Sequence, residues 1–408
     1  MSLPPVHKPR VLLLSGPAEP PWNRSDKNLV RGLATHMTRY RPRVLTHEGV
    51  ISTLPAHVET DPVWGPRVGG HTPIGRRLGL FGRLLSDTDA DIVHLFWPAD
   101  LLVAPVVRAA CRMRGLPVLH TLVRAPRTTL GITRTVAAEP VVCLSQETLR
   151  RIQRDGIEDA VWIPPGVTIS PPDATRDLPA LRRRYGIPAG VPVVVYAGDY
   201  THANAARTVA ATLPRVAREH PVHFVMACRI RDERDRAEES RIREALLADG
   251  VADHITFLNE VDCIADLFAV ADIQIFPADS ANQRLDMPMV LLEGLAQGIA
   301  TIVANKPPFE ELVLPGAAIG VPSMNPASIA VAVVELLRDD TRRAALSQRG
   351  RQLAAERFDI RAVAASYEAL YDRVRADFPG RVRHRRGFVS GGIAAVSPVT
   401  DLHKASRS

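Results

Sequence analysis

A single carboxylate, Glu293, stands inside the otherwise apolar run of RLDMPMVLLEGLAQG (284–298). Pro288 suits the first turn of a helix, Asp286 could cap it and Gly298 could end it, which puts residue 293 near mid-helix after a loop. A buried glutamate with no partner would cost several kcal/mol or neutralise itself. Glu293 therefore sits at the rim of a cleft, or has a partner that the segment itself does not supply. Other chemistries are less well provided for. Cys111, Cys143, Cys228 and Cys263 are at least 32 residues apart, which gives neither zinc-ligand spacing nor a disulfide framework. His94 in DIVHLFW and His120 in PVLHTLV lie in strand-like apolar runs, where a histidine usually has a core partner. No Gly-x-Gly-x-x-Gly follows a first strand, and there is no Walker loop and no Gly-x-Ser-x-Gly; a nicotinamide dehydrogenase is disfavoured.

The elements that must position these residues alternate along the chain. Near-continuous apolar strands are read at 10–16, 91–97, 117–123 and 140–145, with a helix at 25–37; such strands belong to parallel sheets covered by helices. Residues 164–192 hold seven prolines in 29 positions and read as a linker. The alternation restarts with strands at 191–198, 222–228, 254–260, 271–277 and 300–305. Three helices follow 326, and from Pro379 the chain is basic, aperiodic and expected to be disordered. Two doubly wound α/β domains facing a cleft are the expected architecture, with ligands at the carboxyl ends of the strands. The 408 residues suffice for two substantial cores. The net charge of +7 rests on 51 basic residues, of which only four are lysine. Arginine with abundant Ala and Pro points to a GC-rich, bacterial-looking coding bias. A nucleic-acid partner is not inferred from it, while phosphorylated ligands fit. Neither a signal-peptide core nor an 18-residue apolar span is present, so the chain reads as cytoplasmic. In IGRRLGLFGRLL (74–85) three arginines flank apolar residues, and both a buried domain helix and an interfacial membrane helix are compatible with it.

The two Rossmann-like halves, the linker WIPPGV (162–167), the pattern P-x-x-L-L-E-G-L-A-x-G ahead of ATIVAN, and the terminal ERFDIRAVAASYEALY together resemble the retaining family-4 glycosyltransferases of the GT-B fold. The resemblance covers roughly residues 8 to 375 and is sharper in the second half. It implies an N-terminal acceptor domain over 1–168, a C-terminal nucleotide-sugar domain over 169–359, and a helix over 360–378 crossing back to the first. It further implies a nucleotide-diphosphate sugar donor of UDP or GDP type, no cofactor and no metal. Glu293 matches the second acid of the family's glutamate pair and should accept the ribose hydroxyls, with charge-assisted strength; the alternative is a glutamate bonded to neighbouring backbone.

Other positions depart from the family. Leu285 replaces the first acid; Asp286 beside it could meet the sugar or simply cap the helix. The loop GDYTHANAAR lacks the usual Arg and Lys, leaving Arg229 and Arg284 as candidates for the diphosphate, with the amide end of the following helix. Gly198, Asp199, Met287, Pro288 and Met289 complete the expected donor side. On the first domain Gly16, Arg24, Ser25 and Lys27 follow strand one and either meet a substrate or form a loop and cap; His120 is three residues from the family's histidine position, now Val123. Two functions remain open: transfer of sugar to a small natural product, glycan or lipid, and an inactive relic that binds a sugar nucleotide as a regulator or scaffold. Peripheral membrane contact and a homodimer are compatible with either.

Overall fold

The computed structural model describes residues 8–66, 82–84, 86, 89–171, 173, 175–201, 204–278 and 285–378. Most of the 74–85 segment, Arg284 and the tail from Pro379 lie outside the described residues. The first domain is a seven-stranded parallel sheet in the order β3-β2-β1-β4-β5-β6-β7. Its strands are β1 (Arg10–Leu14), β2 (Arg41–Leu45), β3 (Glu59–Asp61), β4 (Ile92–Trp97), β5 (Val118–Leu122), β6 (Val141–Cys143) and β7 (Ala160–Trp162). The second is a six-stranded parallel sheet, β10-β9-β8-β11-β12-β13. It comprises β8 (Val193–Gly198), β9 (His223–Cys228), β10 (Ile255–Leu258), β11 (Ile273–Phe276), β12 (Ala300–Ala304) and β13 (Ile319–Val321). In both sheets the strand order reverses beside the first strand, where β1 pairs with β2 and β4, and β8 with β9 and β11. Loops there splay apart and open a crevice.

The helices that matter to the site are α1 (Ser25–His36), α2 (Val103–Arg114), α3 (Gln146–Arg154), α4 (Glu233–Ala248), α5 (Met289–Gln297) and α6 (Ile360–Asp377). The chain passes between the domains twice, and the two passages lie side by side. Val167 N donates to Phe358 O at 2.7 Å and Ile360 N donates to Val167 O at 3.0 Å. Gly166 permits this closeness, because a Cβ there would lie 2.7 Å from the Ile360 Cα. α6 then packs on the first domain. Its Tyr371 hydroxyl is 2.7 Å from His94 Nδ1, Thr121 Oγ1 is 2.7 Å from His94 Nε2, and Tyr367 is 3.2 Å from the same threonine hydroxyl. Glu368 of α6, nearly fully buried, accepts from the backbone N of Thr38, Arg39 and Tyr40 at 2.6–3.2 Å. His94 is thus a satisfied strand histidine. Among the described residues no helix is long and apolar enough to cross a membrane.

Candidate active site

A cleft of about 820 Å³ lies between the domains. α5 supplies its central carboxylate. Pro288 occupies the N-cap in extended conformation and Gly298 ends the helix in the left-handed region (φ 77°). Gly294 faces β11: a Cβ there would sit 1.6 Å from Gln274 Oε1, while Gln274 Nε2 donates to Val290 O at 3.2 Å. That close helix–sheet contact turns the adjacent Glu293 into the cleft. No hydrogen bond to Glu293 occurs among the described residues. Burial pushes its carboxyl up to about 7, and the charge of Arg31 on α1 acts in the opposite direction. Arg31 lines the facing wall and lies over the Trp22 ring, 4.8 Å from its centroid. Glu293 is thus a partly buried carboxylate at a cleft, opposite a cation.

Basic groups gather at the carboxyl end of β9. Arg229 reaches across the cleft, its Nη1 donating to Asn23 O of the first domain at 2.7 Å, while its buried Nε has no partner among the described residues. Desolvation lowers its pKa, as do the nearby charges of Arg231 and Arg24, with Asp199 opposing them. Arg231 also lines the cleft. It is held by Asp235 near the start of α4 through Nε at 2.7 Å and Nη2 at 3.0 Å, with Asp199 at 3.3 Å. Sequence reasoning named Arg229 and passed over Arg231, although residues two apart in an extended segment share a face. It also missed Arg31, whose helical position gave no sign of the opposite wall.

Of the remaining candidates, Gly198, Asp199, Pro288, Met289, Arg24 and Ser25 line the cleft. Arg24 is paired with Asp26 at 2.5 Å. Five others are elsewhere. Met287 is buried beneath the loop at 1% exposure, Gly16 lies in the loop after β1 outside the cleft lining, and Lys27 turns its ammonium to Glu19 O at 3.1 Å. His120 is fully buried in β5, with Nε2 3.1 Å from Trp97 O and Nδ1 accepting from Ala137 N at 3.1 Å; burial pulls its pKa down to about 4. Asp286 points away from the cleft. Its carboxylate accepts from Ser145 Oγ at 2.7 Å, and its backbone N donates to Val123 O at 3.1 Å, both in the first domain. Ser145 in turn caps α3 by accepting from Thr148 N. Asp286 thus neither meets the sugar space nor caps α5; it is a strut between domains, joined by Glu311, which accepts from Gln146 N at 2.8 Å and Glu147 N at 3.1 Å. Among the described residues no group of three or more His, Cys, Asp or Glu is arranged to hold a metal ion.

Residues 191–339, from β8 through the helix ending at Arg338, match the family model described as "Glycosyl transferases group 1". N-acetyl-alpha-D-glucosaminyl L-malate synthase of Bacillus anthracis is 21% identical over 213 residues; the chain spans about half of that relative (52%), using 51% of its own length. A glycosyltransferase from Rickettsia africae superimposes with a TM-score of 0.71 at 16% identity, covering 91% of this chain and 100% of the other. Anabaena HepE, in complex with UDP and glucose, gives 0.68 at 15% identity, covering 90% and 100%. The fold is that of the GT-B glycosyltransferases, as the resemblance implied, and the group 1 family pattern occupies the second domain.

Proposed function

We propose that this protein is a glycosyltransferase that takes a nucleotide-diphosphate sugar in the cleft and passes the sugar to an acceptor entering from the first-domain side. The observation that carries this reading is Glu293, which meets the cleft with no hydrogen bond among the described residues, one turn into a helix whose amide end opens on the same space. Two vicinal hydroxyls suit such a carboxylate. Arg229 and Arg231, at the carboxyl end of β9, and the first turn of α5 line the same cleft; a guanidinium fork and helix amides both favour phosphate oxygens, so both are proposed for the diphosphate. Arg284 is proposed as a third member, from the sequence alone. Beside these arginines, where Ile230 N donates to Asn259 Oδ1 at 2.6 Å, the segment Asn259–Ala265 completes that wall of the cleft with Val261, Ile264 and Ala265 next to Glu260 and Asp262. HepE binds UDP, which supports a UDP-type donor here, and the malate-synthase relative supports a small-molecule acceptor.

The chemistry follows from charge. As the sugar C1–O bond breaks, negative charge grows on the leaving phosphate, and arginines already in place stabilise it without reorganisation. Retention is proposed from the resemblance: the acceptor oxygen enters on the face the phosphate leaves, and the phosphate takes the acceptor proton, so no carboxylate nucleophile is needed, unlike the two-carboxylate hydrolases. The test is incubation with UDP-, GDP- and dTDP-sugars and an acceptor panel, reading released nucleoside diphosphate and the anomeric configuration of the product. Release with a retained product supports the reading. Tight nucleotide binding with no transfer to any acceptor replaces it with the sugar-nucleotide-binding relic.

A further inference from the structure

α2 follows β4 and is apolar on two sides. Its inner face, Val103, Ala104, Val107, Ala110 and Cys111, is buried. Its outer face should be polar, yet Leu102 is 78% exposed, Val106 43% and Met113 72%. At 100° per residue these three positions fall within an arc of about 40°. Leu101, 68% exposed, precedes the helix, and Leu130, 89% exposed, lies in the turn after β5. That turn is tied to α2: Arg108 Nη2 donates to Thr133 O at 3.2 Å and to Val136 O, and Asp100 N donates to Thr135 O at 3.2 Å. Five of the ten large hydrophobic side chains exposed among the described residues therefore belong to one region of the first domain. Single exposed hydrophobics need no explanation; a cluster does.

The same region carries one sign of charge. Between residues 101 and 138 there are six arginines and no Asp or Glu. Arg112 and Arg114 flank the apolar arc of α2, and Arg127 and Arg134 bracket Leu130. The acids next to this span are few: Asp100 accepts from Leu102 N, Val103 N and Trp97 Nε1, Asp155 accepts from Thr129 Oγ1, and Glu139 is exposed just past it. The patch also adjoins the cleft, because Val123 and Arg124, in the loop that leads to Leu130, line it.

We propose that the face formed by Leu101, Leu102, Val106, Met113 and Leu130, with its surrounding arginines, docks on an anionic lipid bilayer. Apolar side chains projecting from a helix surface with arginines at the flanks suit the boundary between acyl chains and headgroups, and the excess of positive charge selects anionic headgroups. Docked so, the protein holds the mouth of its cleft at the bilayer surface. The inference stands apart from the transferase reading, since vesicle binding can be measured without donor or acceptor.

The experiment floats the full chain with phosphatidylcholine vesicles, with and without a third of phosphatidylglycerol, at low and high salt. Binding is expected only with phosphatidylglycerol and should be released by salt. Leu102→Ser with Leu130→Ser should abolish it with unfolding temperature unchanged, and Arg112→Ala or Arg127→Ala should each weaken it about fivefold. Changing Arg381, Arg383, Arg385 and Arg386 of the basic tail to Ala should leave the binding in place. The proposal is overturned if no vesicle binds, if the leucine pair is without effect, or if the tail changes alone remove binding. It is equally overturned if the leucine changes split a dimer of a chain that never floats, which would make this face a contact between two copies.

Discussion

Glu293 is held in a state that a ligand can change. Burial favours its neutral form and raises its pKa to about 7, whereas ribose hydroxyls donate to the ionised form. Binding should therefore draw a proton off the carboxyl, and nucleoside diphosphate affinity should rise as pH increases from about 5.5 towards 8, flattening above about 7. Calorimetry across that range checks it: Glu293→Gln should bind more weakly and lose the slope, and an unchanged slope in the variant would assign the proton elsewhere. How much of this was readable beforehand depended on the residue. The apolar surroundings of Glu293 announced a special carboxylate. The isolation of Asp286 in its loop announced nothing about Ser145, 141 positions away, because a strut between domains leaves no local spacing.

Among the elements, α3 connects the domains by its amino end. Its first amides are satisfied by Glu311, and its capping Ser145 by Asp286, both from the second domain. Burial pushes the Glu311 carboxyl up to about 7, against the pull of the two amides. Removing it in Glu311→Ala leaves those amides without an acceptor and should cost about 1–3 kcal/mol in denaturant unfolding, with Glu311→Gln recovering most of the loss. The pH effect has a definite sign. A carboxyl whose pKa is raised on folding stabilises fully below its unfolded value, near 4.5, and that stability is lost as pH rises through about 7. Buried His94, His120 and His223, whose pKa values are lowered, act in the opposite direction, so the sign is read from the stability difference between the unaltered protein and Glu311→Gln, which should shrink as pH rises from about 5 to about 8; a difference that grows would contradict the burial of this group. The central strands were legible as apolar runs. β2 (RPRVL), β3 (ETD), β7 (AVW) and β13 (IGV) were not. Three are only three residues long, and β2 opens with Arg-Pro-Arg; tertiary pairing, not local pattern, makes them strands.

In the whole molecule, two domains are fixed by one short passage at 166–167 and one long helix that returns. α6 places Tyr367, Glu368 and Tyr371 against the first domain, so a chain ending at Asp359 exposes His94 and leaves the 38–40 amides without Glu368. That truncation should fail to fold cooperatively, while one ending at Phe378 should unfold at the temperature of the full chain. Equal stability of the two would reject α6 as a structural bridge. The two-domain order was evident from the strand–helix alternation on either side of the Pro-rich linker, and α6 from its period and the terminal pattern. The closeness of Gly166 to Ile360 was not, since nothing local couples residues 194 positions apart.

If different side chains in one cleft grip the ribose and the diphosphate, calorimetric titration of nucleoside diphosphate, bare nucleoside and pyrophosphate into two variants separates the two grips. Arg229→Ala removes a charge-assisted contact worth about 1.5–3 kcal/mol, so diphosphate-bearing ligands should weaken roughly ten- to over a hundredfold while the nucleoside is little changed. Glu293→Gln should weaken nucleoside and nucleoside diphosphate but not pyrophosphate. If instead both variants bind all three ligands as the unaltered protein does, the cleft is not the donor site.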